Sequence, residues 1–271
     1  MNETFPNAPL VEIVAELRWQ IPQLTATDQA GNPIQLSIVP PDNTNTMTAL
    51  FHRTTSAVGK HGFDRLEQLV PPGSPIPVLL PQMMYRYRRM DEVPVLAQIG
   101  PGMFSINALP PYKSWKEFHP YLDGGVESLL EALTDKPELT VSLRYIDAFR
   151  HDLTSGHDAK AFATEVLGFH LDLPLTLQAR LTEGAQARMS FQVALPVSGM
   201  SMTITVSDGQ LGTDPVVLMN TDVRIENALP SDKQAILSAL DKAHDLIHGT
   251  FVDMTQSILD KLQSVPIGGD A

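Results

Sequence analysis

The 271-residue chain contains no cysteine. That excludes a disulfide framework, a zinc ribbon, an iron–sulfur cluster and thiol catalysis, and it agrees with a cytoplasmic protein. Charged residues are also sparse, at 18%, and unbalanced: 19 Lys and Arg stand against 31 Asp and Glu, for a formal net charge of −12. An average field of that sign repels phosphate backbones and anionic membrane surfaces, so neither nucleic acid nor membrane is an expected partner. No apolar run approaches the roughly 20 residues of a membrane span. The opening MNETFPNAPLVEIVAE lacks the basic start and apolar core of an export signal. There is no Gly-x-Ser-x-Gly elbow for a nucleophile, and Gly100-Pro101-Gly102 lacks the Lys-Ser/Thr and the helix that would make it a phosphate loop. What is present is 43% hydrophobic residues over a length that suits one large domain or two smaller ones.

The apolar residues fall into two periodicities. Val11, Ile13, Ala15, Leu17 and Trp19 alternate with Glu12, Glu16 and Arg18, which predicts a strand with one apolar and one charged face. Pro22 to Asn43 reads as a loop or hairpin excursion, and Asn45 to Leu69 as a helix interrupted near Gly59 and Gly62. Five prolines between Pro71 and Pro81 predict a surface connection. Met83–Arg89, Val95–Ile99 and Met103–Leu109 then form a meander, and Ser114 with Glu117 caps a helix carrying Trp115, Phe118, Leu122 and Val126. From Leu139 a second strand sets Val141, Leu143, Tyr145, Asp147 and Phe149 on one face, with Asp147 interrupting the apolar side. A short helix over Asp158–Leu167 follows, then extended runs at Leu171–Leu181, Ala187–Leu195, Met200–Val206 and Val216–Ile225, and one long helix from Ser231 to about Gln263.

The order strand, helix, meander, long helix therefore occurs twice. Leu17-Arg18-Trp19 and Leu143-Arg144-Tyr145 share a Leu-Arg-aromatic triplet, and Ser128–Leu133 and His119 echo Ser257–Leu262 and His248. These echoes predict an α+β protein made by internal duplication. Its two related units, Met1–Lys136 and Pro137–Ala271, are each expected to be an antiparallel sheet with helices on one face, with Arg18 and Arg144 equivalent.

The layout also resembles a sporadically distributed, highly divergent family of uncharacterised bacterial proteins of about this length. The resemblance rests on Asn7-Ala8-Pro9-Leu10-Val11-Glu12 leading to Glu16-Leu17-Arg18-Trp19, and on Gln98-Ile99-Gly100-Pro101 followed by Phe104-Ser105-Ile106-Asn107. It continues through Tyr112 and Trp115, Leu143-Arg144-Tyr145-Ile146-Asp147 (where members often carry Asn in place of Asp147), and His244 followed by Phe251 and Thr255. It implies no chemistry.

Three constellations invite a functional reading. Glu12, Glu16 and Arg18, with Arg144 as the duplicate arginine and Asp147 nearby in sequence, can line a polar groove, an arrangement similar to that of tunnel-shaped phosphohydrolases. Against this, the one dense basic run, Arg86-Tyr87-Arg88-Arg89, alternates between strand faces. His244 and His248 stand one helical turn apart, the spacing of two metal ligands, but a catalytic zinc takes a third, and His151, His157 and His170 are the candidates. The 11 methionines serve core filling or an adaptable binding surface. The residues favour a cofactor-free, non-enzymatic scaffold or adaptor that binds another protein or itself, in an accessory, chaperone-like or defence role. The alternative is a hydrolase or phosphate-handling enzyme using the Glu/Arg face.

Overall fold

The computed structural model describes residues 5–21, 26–27, 30, 33–34, 39, 41–77, 82–112, 114–170, 174–180 and 190–263. The class is α+β. Strand β1 (Leu10–Arg18) is followed by the short pair β2 (Ala26–Thr27) and β3 (Pro33–Ile34), then by helix α1 (Pro41–Gly59). Next come β4 (Arg65–Gln68), β5 (Tyr85–Arg88), β6 (Val95–Gly100), β7 (Met103–Ala108) and α2 (Trp115–Ala132). The chain continues through β8 (Thr140–Phe149), the short helices α3 (His151–Thr154), α4 (Ala159–Glu165) and α5 (Leu175–Gln178), and β9 (Ser190–Val197). It closes with β10 (Met200–Leu211), β11 (Asp214–Ile225), α6 (Lys233–Met254), a 3-10 turn at Gln256–Ile258 and α7 (Leu259–Gln263).

Among the described residues the principal strand order is β4-β5-β6-β7-β1-β8-β11-β10-β9, and β2 pairs only with β3. The pairs β4–β5, β5–β6, β6–β7 and β9–β10 are antiparallel. Within the first half of the sequence the order reads β1-β7-β6-β5, and within the second it reads β8-β11-β10-β9, the same arrangement of a lone strand beside the last strand of a meander. Compact units do not follow those halves. One comprises Val14–Leu143 with Arg224–Lys242, called here the β4–β7 unit; the other comprises Met1–Ile13, Arg144–Val223 and Ala243–Ala271, called the β9–β11 unit. β1, β8, β11 and α6 each contribute residues to both.

In the β4–β7 unit the helices lie on one sheet face. Tyr87 reaches from β5 to within 3.0 Å of the Thr55 hydroxyl on α1, and Phe51 of α1 meets Tyr85 edge-on at 5.1 Å. α2 begins at Ser114, whose side chain accepts from the Glu117 backbone N–H, as the capping motif predicts. Gly124 and Gly125 let α2 approach closely: a Cβ at Gly125 would stand 2.4 Å from Ile106, and one at Gly124 2.6 Å from the His61 ring. Tight packing accounts for this glycine pair. In the β9–β11 unit, Phe149 of β8 packs on Phe162 of α4 and stacks with Phe251 of α6, while the α6 Thr250 hydroxyl reaches Met202 of β10.

Four expectations needed correction. The helix through Leu69 stops at Gly59, and Arg65–Gln68 is a strand, because Gly62 at φ +83° turns the chain out of the helical path. Leu175–Gln178, read as extended, is a helical turn; 171–173 and 181 lie outside the described residues. The C-terminal helix breaks at Thr255, so Ser128–Leu133, the end of α2 and its cap, echoes a segment that spans a 3-10 turn and α7. Trp115, Phe118 and Tyr145 are buried, whereas Trp19, placed by alternation on the apolar face of β1, is only half-buried.

Candidate functional site

On the β4–β7 unit the sheet face away from α1 and α2 is polar. Alternation places Arg86 and Arg88 of β5 opposite the face of Tyr85 and Tyr87, and pairing aligns Arg86 with Glu67 and Gln98, and Gln98 with Ser105. Glu67 sits 2.9 Å from Arg88 Nε and 3.5 Å from Arg86 Nη1, so one carboxylate faces both guanidinium groups. With its amide oriented to accept, Gln98 takes two further bonds from Arg86. The backbone bond from Trp19 to the Gly102 carbonyl joins the end of β1 to the start of β7, which sets these neighbours antiparallel and Glu16 opposite Ser105. Glu16 is only 8% exposed and accepts from Arg18 Nε at 2.6 Å. The arginine is thus held by the carboxylate two residues before it on the same strand face.

The remaining sequence candidates lie in the β9–β11 unit. Glu12 is half-buried on β1. Arg144 faces Asp222 of β11 at 3.6 Å, so its carboxylate partner comes from a neighbouring strand rather than from the polar-groove candidates Glu12, Glu16 and Asp147. Tyr145 and Phe149 both meet α6, which sets Asp147, between them on β8, toward the same helix. Asp147 is 4% exposed, no hydrogen-bond donor reaches it among the described residues, and burial pushes its carboxyl up to about 7. His244 Nδ1 is 2.7 Å from the Tyr145 hydroxyl, and its ring stacks on His248 with centroids 5.8 Å apart. Among the described residues no three His, Asp or Glu side chains gather closely enough to hold a metal ion. His119, the sequence echo of His248, instead approaches Asp241 of α6 at 3.5 Å, where Trp115 Nε1 also donates at 2.8 Å.

Two features were not anticipated. A cleft of about 1230 Å³ in the β9–β11 unit is lined by the connection from β8 to α4 and by the facing ends of β10 and β11. Asp158 and Asp208 line it, but both are engaged in accepting from the first backbone N–H groups of α4, and Asp152 accepts from Asn7. His157 approaches Glu165 at 3.4 Å, while its Nδ1 is buried without a partner among the described residues.

The second feature is the outer edge of β9. This strand ends the order β11-β10-β9, and no described strand pairs with its far side. The two-residue turn Ser198-Gly199 closes the β9–β10 hairpin with Val197 opposite Met200. In such a hairpin the closing pair is hydrogen-bonded, so Phe191, Val193, Leu195 and Val197 direct their peptide groups at β10 and Ser190, Gln192, Ala194 and Pro196 direct theirs outward. Proline, which lacks a donor, stands where its missing N–H would face solvent. Pairing with the buried Met202, Ile204 and Val206 puts Leu195, Val193 and Phe191 on the helix-side face. There they remain uncovered to differing degrees, with Leu195 39% exposed. The run 189–207 holds no charged residue. That run and the alternation within it were readable signals; what the sequence did not carry was that this strand ends the sheet.

No family model and no curated protein matches the chain. Among solved structures, one of an S. pombe RNA triphosphatase in complex with the Spt5 CTD aligns with 94% of this chain and 85% of that one, at 10% identity and a TM-score of 0.13. A score that low carries no argument about fold or activity. No described helix is long and apolar enough to cross a membrane.

Proposed function

We propose that this chain is a non-enzymatic binding protein that docks an extended apolar segment of a protein along the outer edge of β9. The observation that carries the reading is the pairing of outward peptide groups at Ser190, Gln192 and Ala194 with a half-uncovered apolar stripe at Phe191, Val193 and Leu195. A strand edge supplies main-chain hydrogen bonds to any extended chain, and alternate side chains supply selectivity. Natural edges are commonly blunted by lysines or inward charges, and here Pro196 is the one such device within the strand. The matching strand order of the two sequence halves supports an internal duplication as the origin of the scaffold. A chain free of cysteine suits a cytoplasmic location.

The hydrolase or phosphate-handling alternative would use arginines to hold phosphate. The contacts of Arg18 with Glu16 and of Arg144 with Asp222 weigh against it, since each guanidinium already faces a carboxylate. A peptide array of overlapping extended segments, probed with the wild-type chain and with Leu195→Lys, tests the proposal. Apolar, charge-poor peptides should bind the wild type and lose most of their signal with the variant, while its circular dichroism stays unchanged. Equal binding by both proteins would contradict the proposal.

A further inference from the structure

The edge of β9 is self-complementary, and we propose that its occupant is a second copy of this chain, paired β9 to β9 antiparallel about a two-fold axis at Val193. This rests on the docking assignment above and names the partner for it. Centred on Val193, the two strands overlap from Ser190 to Pro196. Gln192 and Ala194 exchange both backbone bonds across the axis, and each Ser190 N–H donates to a Pro196 carbonyl. The donorless proline therefore costs nothing in the ladder beyond one bond at each end. Moving the axis to Ala194 would set Pro196 against Gln192 and leave Ser190 beyond the paired segment.

The side chains agree with the same centre. On the helix-side face Phe191 of one copy meets Leu195 of the other, and the two Val193 side chains meet on the axis, so both half-uncovered stripes close over each other. Aromatic–aliphatic and aliphatic cross-strand pairs of this kind stabilise sheets. Charge points to the same surface. Copies carrying −12 each repel one another, but 189–207 brings no ionised side chain to the contact. Residual repulsion between the bodies is long-range and is screened beyond a Debye length. Dimerisation therefore strengthens with salt, the reverse of what an interface held by ion pairs would show.

Absence of native cysteine makes the test direct. Residues facing each other in a non-hydrogen-bonded antiparallel pair have Cα atoms ~4.5 Å apart, within disulfide reach. Val193→Cys should form a covalent dimer under mild oxidation, and Gln192→Cys, displaced from the axis and on the other face, should form far less. Light scattering should report a dimer for the wild type and a monomer for Ala194→Pro, which deletes an outward donor without touching the β9–β10 ladder. A wild-type monomer at micromolar concentration and raised salt would overturn the inference. So would a dimer that survives Ala194→Pro and gives no Val193→Cys cross-link. If the monomer still binds array peptides in a Leu195-dependent way, the second copy is excluded while the docking edge stands; if peptide binding is absent too, both are excluded.

Discussion

The Tyr145 hydroxyl lies 2.7 Å from Nδ1 of His244, a buried bond that ties β8 to α6 within the β9–β11 unit. The His244 ring also stacks on His248, so the two histidines that sequence spacing offers as metal ligands form part of a packed helix–sheet contact. Tyr145→Phe removes the bond with little change of shape. It should lower unfolding stability by ~0.5–1.5 kcal/mol in urea titration. An unchanged midpoint would show that the bond contributes nothing to stability.

Asp147 predicts a pH dependence of stability. Burial raises its carboxyl from the ordinary value near 3.8 to about 7, so between those pH values the folded chain holds a proton that the unfolded chain has released. Its stability contribution is therefore greatest at and below about pH 4, falls as pH rises toward about 7, and levels off above that. Asp147→Asn abolishes the slope. The variant should match the wild type near pH 4 and exceed it at pH 8 by on the order of a few kcal/mol. Parallel urea midpoints for the two proteins across that range would refute the assignment.

Trp115 anchors α2: it is 8% exposed, meets Phe118 edge-on, and donates to Asp241. Trp115→Ala should cost ~3–5 kcal/mol and lower the melting temperature clearly. A melting curve superimposable on the wild type would mean that this contact is not formed in solution.

Arg18→Met leaves the nearly buried Glu16 without its guanidinium partner. We expect a modest stability loss of ~1 kcal/mol, because Arg18 is itself partly exposed to solvent. Thermal shifts with phosphate, nucleotides and divalent metals should be absent in both the wild type and the variant. A saturable shift with phosphate that Arg18→Met and Arg144→Met abolish would favour the enzyme alternative.

The sequence carried the order of elements wherever periodicity was strong and a cap or break marked the end. Ser114 with Glu117, the short helix opening at Asp158, and the meander before α2 were all legible. It misread Arg65–Gln68, because Leu66 and Leu69 fit a helical stripe, and only the turn at Gly62 and pairing with β5 show these residues to be a strand. Charge partners were legible only over short range. Glu16 for Arg18 follows from alternation along one strand, whereas Asp222 for Arg144 depends on β11 lying beside β8. The β9 edge escaped notice for the same reason: an alternating strand looks alike at the centre of a sheet and at its border.

Residue-resolved amide exchange along β9 tests the docking edge most directly. Without a partner, the inward amides of Phe191, Val193 and Leu195 should exchange slowly and the outward amides of Ser190, Gln192 and Ala194 quickly. When the edge is occupied, by array peptide or by a second copy at higher concentration, the outward set should become protected to a similar degree. Outward amides that stay fast under saturating peptide and at high protein concentration would contradict the account.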